Sequence, residues 1–235
     1  MLFSILWHIL CVHIVDGECY WVDVSFPIHS NKVSTNYPWL PHNVDPNIPV
    51  PEHYRGMPIQ RLGDRQQFYD DFMEGCRAYY GLHGDSCDAV ERDRIAMSVR
   101  QPQSMQNYTT LGFKKIQAPS ALKSLLDEHW NKNKDKKKLE QWFSGNTYTN
   151  HWNSPTYMVS VEDTNLKGAG QDLKQKIWDA TKDTLEEWTG MELRQTSLYG
   201  VRVYTEGAIL SPHADRLPLV SSAIVNVAQD VDEDW

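Results

Sequence analysis

The sequence predicts an α+β chain, with a helical and irregular N-terminal region leading into a set of short strands. Apolar residues recur at spacings of three and four over 61–80 and again over 170–189, the period of an amphipathic helix. Between 199 and 228, short β-forming runs alternate with turn signals, which suits a barrel or a double-sheet jelly roll. The 235 residues fit one large domain or two small ones, and the 40% hydrophobic content is enough for a core. A net charge of −8 argues against a general nucleic-acid binder, whose affinity rests on basic contacts to phosphate.

Met1 to Val15 is mostly apolar, and Val15-Asp16-Gly17 offers a cleavage point, so residues 1–17 resemble a secretory signal peptide without a basic n-region. The stretch is short for a membrane span, which needs about 20 apolar residues. An uncleaved anchor, which would bring membrane contact, or a structured N-terminus is the alternative. Residues 18–60 hold Pro27, Pro38, Pro41, Pro46, Pro49, Pro51 and Pro58. Proline donates no backbone hydrogen bond, so this segment is expected to be extended and irregular.

Over 61–80, Leu62, Phe68, Tyr69, Phe72, Met73 and Cys76 form one helical stripe, and Gly81 is a natural stop. Cys76 and Cys87 flank a small loop that an oxidising compartment could close with a disulfide; reduced, buried thiols are the other reading. Cys11 would leave with the signal peptide, and Cys19 is left over. The sequon at Asn107 agrees with secretion. Ser120 is placed to cap a helix reaching about Trp130, and the basic run 132–138 reads as a solvated loop. Residues 141–161 suggest a turn and a β-like run ending at Val161. His151 and Trp152 could meet a peptide there, although a strand pair covering the core is the simpler reading. Leu173, Ile177, Trp178, Leu185 and Trp188 form the stripe of the helix 170–189, which Gly190 ends. Strands are expected over Tyr199–Tyr204, Ile209–Asp215 and Leu219–Ala228.

His213 and Asp215 are the most informative residues. On a strand, side chains alternate with period two, so a His-X-Asp pair sends an imidazole nitrogen and a carboxylate oxygen to one face. With a second histidine, such a pair makes the facial triad of non-haem Fe(II) oxygenases. Tyr204, Gly207, Leu210, His213 and Asp215 resemble the Fe(II)/2-oxoglutarate dioxygenases in spacing. Within that family, the run from Ser211 to Asp215 and the stretch Ser221–Ala228 look most like the prolyl 4-hydroxylase branch. The likeness is specific over 192–228, faint over 141–190 and absent upstream.

The resemblance implies that His213 and Asp215 bind iron and that Tyr204 contacts 2-oxoglutarate. It implies an incomplete double-stranded β-helix over 141–235, after an irregular and helical region over 18–140. It also implies hydroxylation of peptidyl residues, peptidyl proline foremost. Fe(II), 2-oxoglutarate, O2 and ascorbate are the expected cofactors, a proline-containing peptide or protein the expected partner, and the secretory pathway the expected location. The sequence departs from the family in one respect. The family's second iron histidine and its basic anchor for 2-oxoglutarate lie beyond the aspartate, whereas His8, His13, His29, His42, His53, His83, His129 and His151 all precede His213. The chain is therefore expected to be a truncated piece of a longer enzyme and inactive by itself. Arg216 could orient Asp215, but a surface ion pair is the commoner role. A dioxygenase acting on another substrate, and a non-catalytic secreted jelly-roll binding module, are the other readings.

Protein made in a eukaryotic secretory host is expected to begin near Glu18 and to carry a glycan on Asn107. Intact-mass analysis checks both, and an unprocessed Met1 with a bare Asn107 would count against secretion.

Overall fold

The computed structural model describes residues 2–3, 65–109, 114 and 116–231. Its elements are β1 (Leu2–Phe3), α1 (Arg65–Tyr80), α2 (Asp85–Gln103), α3 (Ser120–Asn133), β2 (Lys138–Leu139), β3 (Thr156–Ser160), α4 (Gln171–Thr189), β4 (Gly200–Tyr204) and β5 (Val225–Asn226). Short 3-10 turns follow α1 and α3. Apart from Leu2 and Phe3, the expected signal segment lies outside the described residues. So do the proline-rich segment 18–60, Cys11, Cys19 and the tail 232–235.

The sheet is small and antiparallel. β3 lies between β2 and β4, with Met158 opposite Arg202 and Ser160 opposite Gly200. The two-residue strands β1 and β5 continue it in the order β2-β3-β4-β1-β5, so β1 falls inside the segment expected to be cleaved, and cleavage would take away the strand that β5 pairs with. Gly200 is needed where β3 and β4 meet: its φ is +155°, and a Cβ there would stand 2.3 Å from the Val159 carbonyl oxygen. No other residue tolerates both that conformation and that approach.

Val159, Val201 and Val203 form the inner face of the sheet. Against them pack Leu122, Leu126 and Trp130 of α3 and Leu173 and Ile177 of α4. Fully burying one such aliphatic side chain contributes about 1.5–3 kcal/mol. This layer is where the sequence pattern is clearest. α4 begins and ends within one residue of expectation, and Gly190 caps it in the left-handed region at φ +67°. α3 runs three residues past Trp130, and Ser120 is its first helical residue rather than a side-chain cap. Arg202 and Tyr204 alternate with the valines and project from the opposite face.

α1 and α2 form a hairpin with a separate small core of Tyr69, Phe72, Met73, Cys76 and Cys87. The Cys76–Cys87 disulfide is formed, which decides between the two sequence readings, and Arg77 pairs with Asp88 beside it. α2 has no counterpart in the sequence reading. Its buried side carries Cys87, Glu91, Arg94, Ile95, Ser98 and Gln101 at helical spacing, but most of these are polar. A hydrophobicity pattern cannot show such a face.

The expected strand Ile209–Asp215 does not form. Leu210 makes a single bridge to Thr149, and the rest of the segment is irregular. Pro212 offers no N–H for a ladder, and side chains take over its hydrogen bonding, as described below. Of the expected strand Leu219–Ala228, only Val225–Asn226 pairs.

His129, 2% exposed, is buried in α3. Asn133 Nδ2 lies 3.3 Å from its Nδ1, and among the described residues its Nε2 has no hydrogen-bond partner within bonding geometry. Burial holds the imidazole below its ordinary value of 6.5 despite the nearby Val159 and Ser160 backbone. A depressed histidine contributes stability above the unfolded value that is lost as pH falls through the folded one. The melting temperature should therefore drop from pH 7.5 to pH 5, and His129→Leu should flatten that slope. Parallel slopes in wild type and variant would show that His129 does not couple folding to protons.

Candidate metal centre

Asn150 begins the construction of the site. It is 4% exposed, donates from Nδ2 to the Gly207 carbonyl at 2.8 Å, and accepts the Ile209 N–H at Oδ1 at 2.8 Å. One amide side chain thus serves the two sides of the turn at 207–209. The next contacts come from Ser211, whose N–H donates to the Tyr148 carbonyl at 2.9 Å and whose hydroxyl donates to the Thr147 carbonyl at 2.7 Å. On the other side, Arg94 of α2 donates through Nη1 to the Pro212 carbonyl. The segment before His213 is therefore held by residues from two distant parts of the chain.

His213 is 6% exposed. Its Nδ1 lies 2.7 Å from the Ser211 carbonyl oxygen, which can only accept. The neutral ring therefore carries its proton on Nδ1 and presents a lone pair at Nε2. Burial pushes the imidazole down to about 4, and the cationic Arg94 and Arg202 push the same way. Tyr148 packs edge-on against the ring at 5.1 Å.

Asp215 Oδ1 lies 3.9 Å from His213 Nε2. Burial raises this carboxyl to about 6, partly opposed by the Ser222 hydroxyl, which donates to Oδ2 at 3.3 Å. At neutral pH the two facing atoms are thus a lone pair and a carboxylate oxygen. Two donors of this kind facing one another suit a cation. Ligand bonds of about 2.0–2.2 Å require the donors to close by under ~1 Å. The donor set fits a first-row metal ion. Among the described residues, no group of three or more His, Cys, Asp or Glu side chains forms a ready metal cage.

Tyr204 stands half-buried at the end of β4, on the same face as Arg202 and near enough to raise its guanidinium. Arg202 reaches Glu140 with two bonds of 2.8 and 2.9 Å and lies 5.3 Å from the centre of the Trp142 ring. Burial works against its charge, and Tyr204 and Glu140 outweigh that, so the guanidinium is held above its ordinary range. Arg202 also lies near enough to His213 to affect its protonation, which connects the β4 face to the His213–Asp215 pair. Arg216 is exposed, in line with a surface role.

His151 belongs to a neighbouring aromatic group rather than to the pair. Its Nε2 is 2.8 Å from the Tyr80 hydroxyl, and Tyr79, Trp142 and Trp152 surround the ring. Sequence reasoning named His213, Asp215 and Tyr204 but not Arg94, Asn150, Tyr148, Glu140 and Trp142, which the fold places around them. None of these lies in a spaced motif; only the packed chain brings them to the site. Compared with known proteins, the chain matches no family model, no curated protein and no solved structure.

The Arg202–Glu140 pair yields a stability prediction. Their side chains are 11% and 12% exposed, so Arg202→Ala leaves a buried carboxylate without its cation and should cost about 3–5 kcal/mol. The double change Arg202→Met with Glu140→Leu should stay within about 1–2 kcal/mol of wild type in urea unfolding. Equal losses in both variants would contradict the ion-pair account.

Proposed function

We propose that His213 and Asp215 supply two protein ligands to Fe(II) in a 2-oxoglutarate-dependent dioxygenase that hydroxylates peptidyl residues, peptidyl proline foremost. The supporting observation is the buried convergence of His213 Nε2 and Asp215 Oδ1 at 3.9 Å, with the Nδ1 proton committed to the Ser211 carbonyl. That commitment leaves Nε2 as the coordinating nitrogen without any rearrangement of the ring. The likeness of the stretch 204–215 to the prolyl 4-hydroxylase branch selects this metal chemistry over others that a His-Asp pair could serve.

Bound Fe(II), with 2-oxoglutarate and O2, supplies the oxidising power to turn an unactivated C–H bond into C–OH while the co-substrate becomes succinate and CO2. The chain contributes the setting. Asp215 contributes negative charge and His213 a neutral donor. Tyr204 is assigned a hydrogen bond to 2-oxoglutarate, with Arg202 on the same face of β4. Tyr148 covers one side of the imidazole and keeps water from it. In this reading the antiparallel strands belong to a jelly roll, ascorbate is a further cofactor, and the protein works in the secretory pathway. The Cys76–Cys87 disulfide accords with that compartment.

In the full-length protein, Asp215→Ala should abolish Fe(II)-dependent succinate formation from 2-oxoglutarate, because the iron loses an anionic ligand. His213→Ala should do the same. Succinate release at the wild-type rate in either variant would remove the assignment.

A further inference from the structure

Arg94 is 0% exposed, at the middle of α2, one turn after the buried Glu91 of the same helix. Such a residue is costly to bury unless its donors are all met. Glu91, 4% exposed, takes two of them: Nε donates to Oε2 at 2.8 Å and Nη2 to Oε1 at 2.6 Å. Tyr69 of α1 donates its hydroxyl to the same Oε1 at 2.8 Å, which fixes the carboxylate. Nη1 then reaches across to the Pro212 carbonyl, the peptide group directly before His213. A buried ion pair is weak support for stability as such, since apolar residues of similar size often serve as well. Its directed donor is what apolar residues could not replace.

We infer that Arg94 is a positioning residue for the metal pair: through the Pro212 carbonyl it sets the placement of His213, and Glu91 and Tyr69 set Arg94. This rests on the metal reading above for its functional meaning, but its geometry does not. The Pro212 carbonyl links the Ser211 peptide, whose oxygen receives Nδ1–H, to His213 itself. A guanidinium fixed on that carbonyl restrains the turn that Nδ1–H closes. Without it, the 211–213 backbone keeps the contacts of Ser211 to Thr147 and Tyr148 among the described residues but loses its tie to α2, and the ring is freer to tilt away from Asp215. α2 thereby has a stake in a site to which it gives no ligand. Partners beyond the ligands of a metal commonly change metal affinity by about 10–100-fold.

The test uses the full chain. Arg94→Met is combined with Glu91→Gln, so that no buried carboxylate loses its cation and Tyr69 keeps an acceptor; Arg94→Lys is made alone. Histidine-selective nitrogen NMR reads the Nδ1–H of His213, assigned by its loss in His213→Gln, and Co(II) titration reads the pair. The wild type should show a slowly exchanging Nδ1–H resonance. The double variant should lose or broaden it while keeping a cooperative melt, with Co(II) affinity about tenfold lower. Arg94→Lys, whose ammonium lacks the planar fork needed to serve Glu91 and Pro212 together, should fall between. Should the double variant not fold, the lysine variant carries the same test. An unchanged His213 resonance in a folded Arg94 variant overturns the inference. A wild type that takes up no Co(II), with the resonance still dependent on Arg94, would sink the metal reading and leave the positioning role standing.

Discussion

Asn150 supports the site in place of a strand ladder. A segment carrying Pro212 cannot pair along its length, yet its backbone groups are partly buried and each needs a partner. The Asn150 amide meets two of them on either side of the 207–209 turn, and Ser211 meets Thr147 and Tyr148 directly after. The residues around His213 and Asp215 are thus ordered by side-chain hydrogen bonds at fixed positions. Such an arrangement is less tolerant than a sheet edge: each bond is unique, and removing one partner leaves the other buried and unsatisfied at a cost of about 1–3 kcal/mol.

The same economy of unique contacts governs the charges. Arg94–Glu91 and Arg202–Glu140 are buried pairs near His213, one in α2 and one reaching from the outer face of β4. Both cations disfavour a proton on His213, and burial disfavours it more. Burial acts on Asp215 in the opposite sense, towards the neutral acid, at about 6. The surroundings therefore keep the imidazole neutral while leaving the carboxylate ionised at neutral pH. Those are the protonation states in which both residues can coordinate a metal.

Much of the scaffold could be read from the sequence, because the helix stripes and their glycine stops are apolar and local. Leu173 and Ile177 announce α4, Phe72 and Met73 announce α1, and the spacing of Cys76 and Cys87 allowed their disulfide. α2 was not legible, because Glu91, Arg94 and Ser98 occupy positions where a pattern search expects apolar residues. The strand expected over 209–215 failed at Pro212, where side-chain contacts from Asn150 and Arg94 replaced the ladder. His213 and Asp215 were legible as a spaced pair. Their convergence was expected from strand alternation and is reached by another route, through the Nδ1–Ser211 bond and the restrained turn. Arg94 and Asn150 gave no signal, since their partners lie far away in sequence.

The central claim is that the His213–Asp215 pair is the place where the protein binds iron. Anomalous diffraction at the iron edge, from crystals of the full-length protein grown anaerobically with Fe(II), tests it most directly. The account predicts one strong peak about 2.0–2.2 Å from both His213 Nε2 and an Asp215 carboxylate oxygen. Iron located elsewhere in the protein, with His213 and Asp215 still facing one another around an empty space, would contradict it.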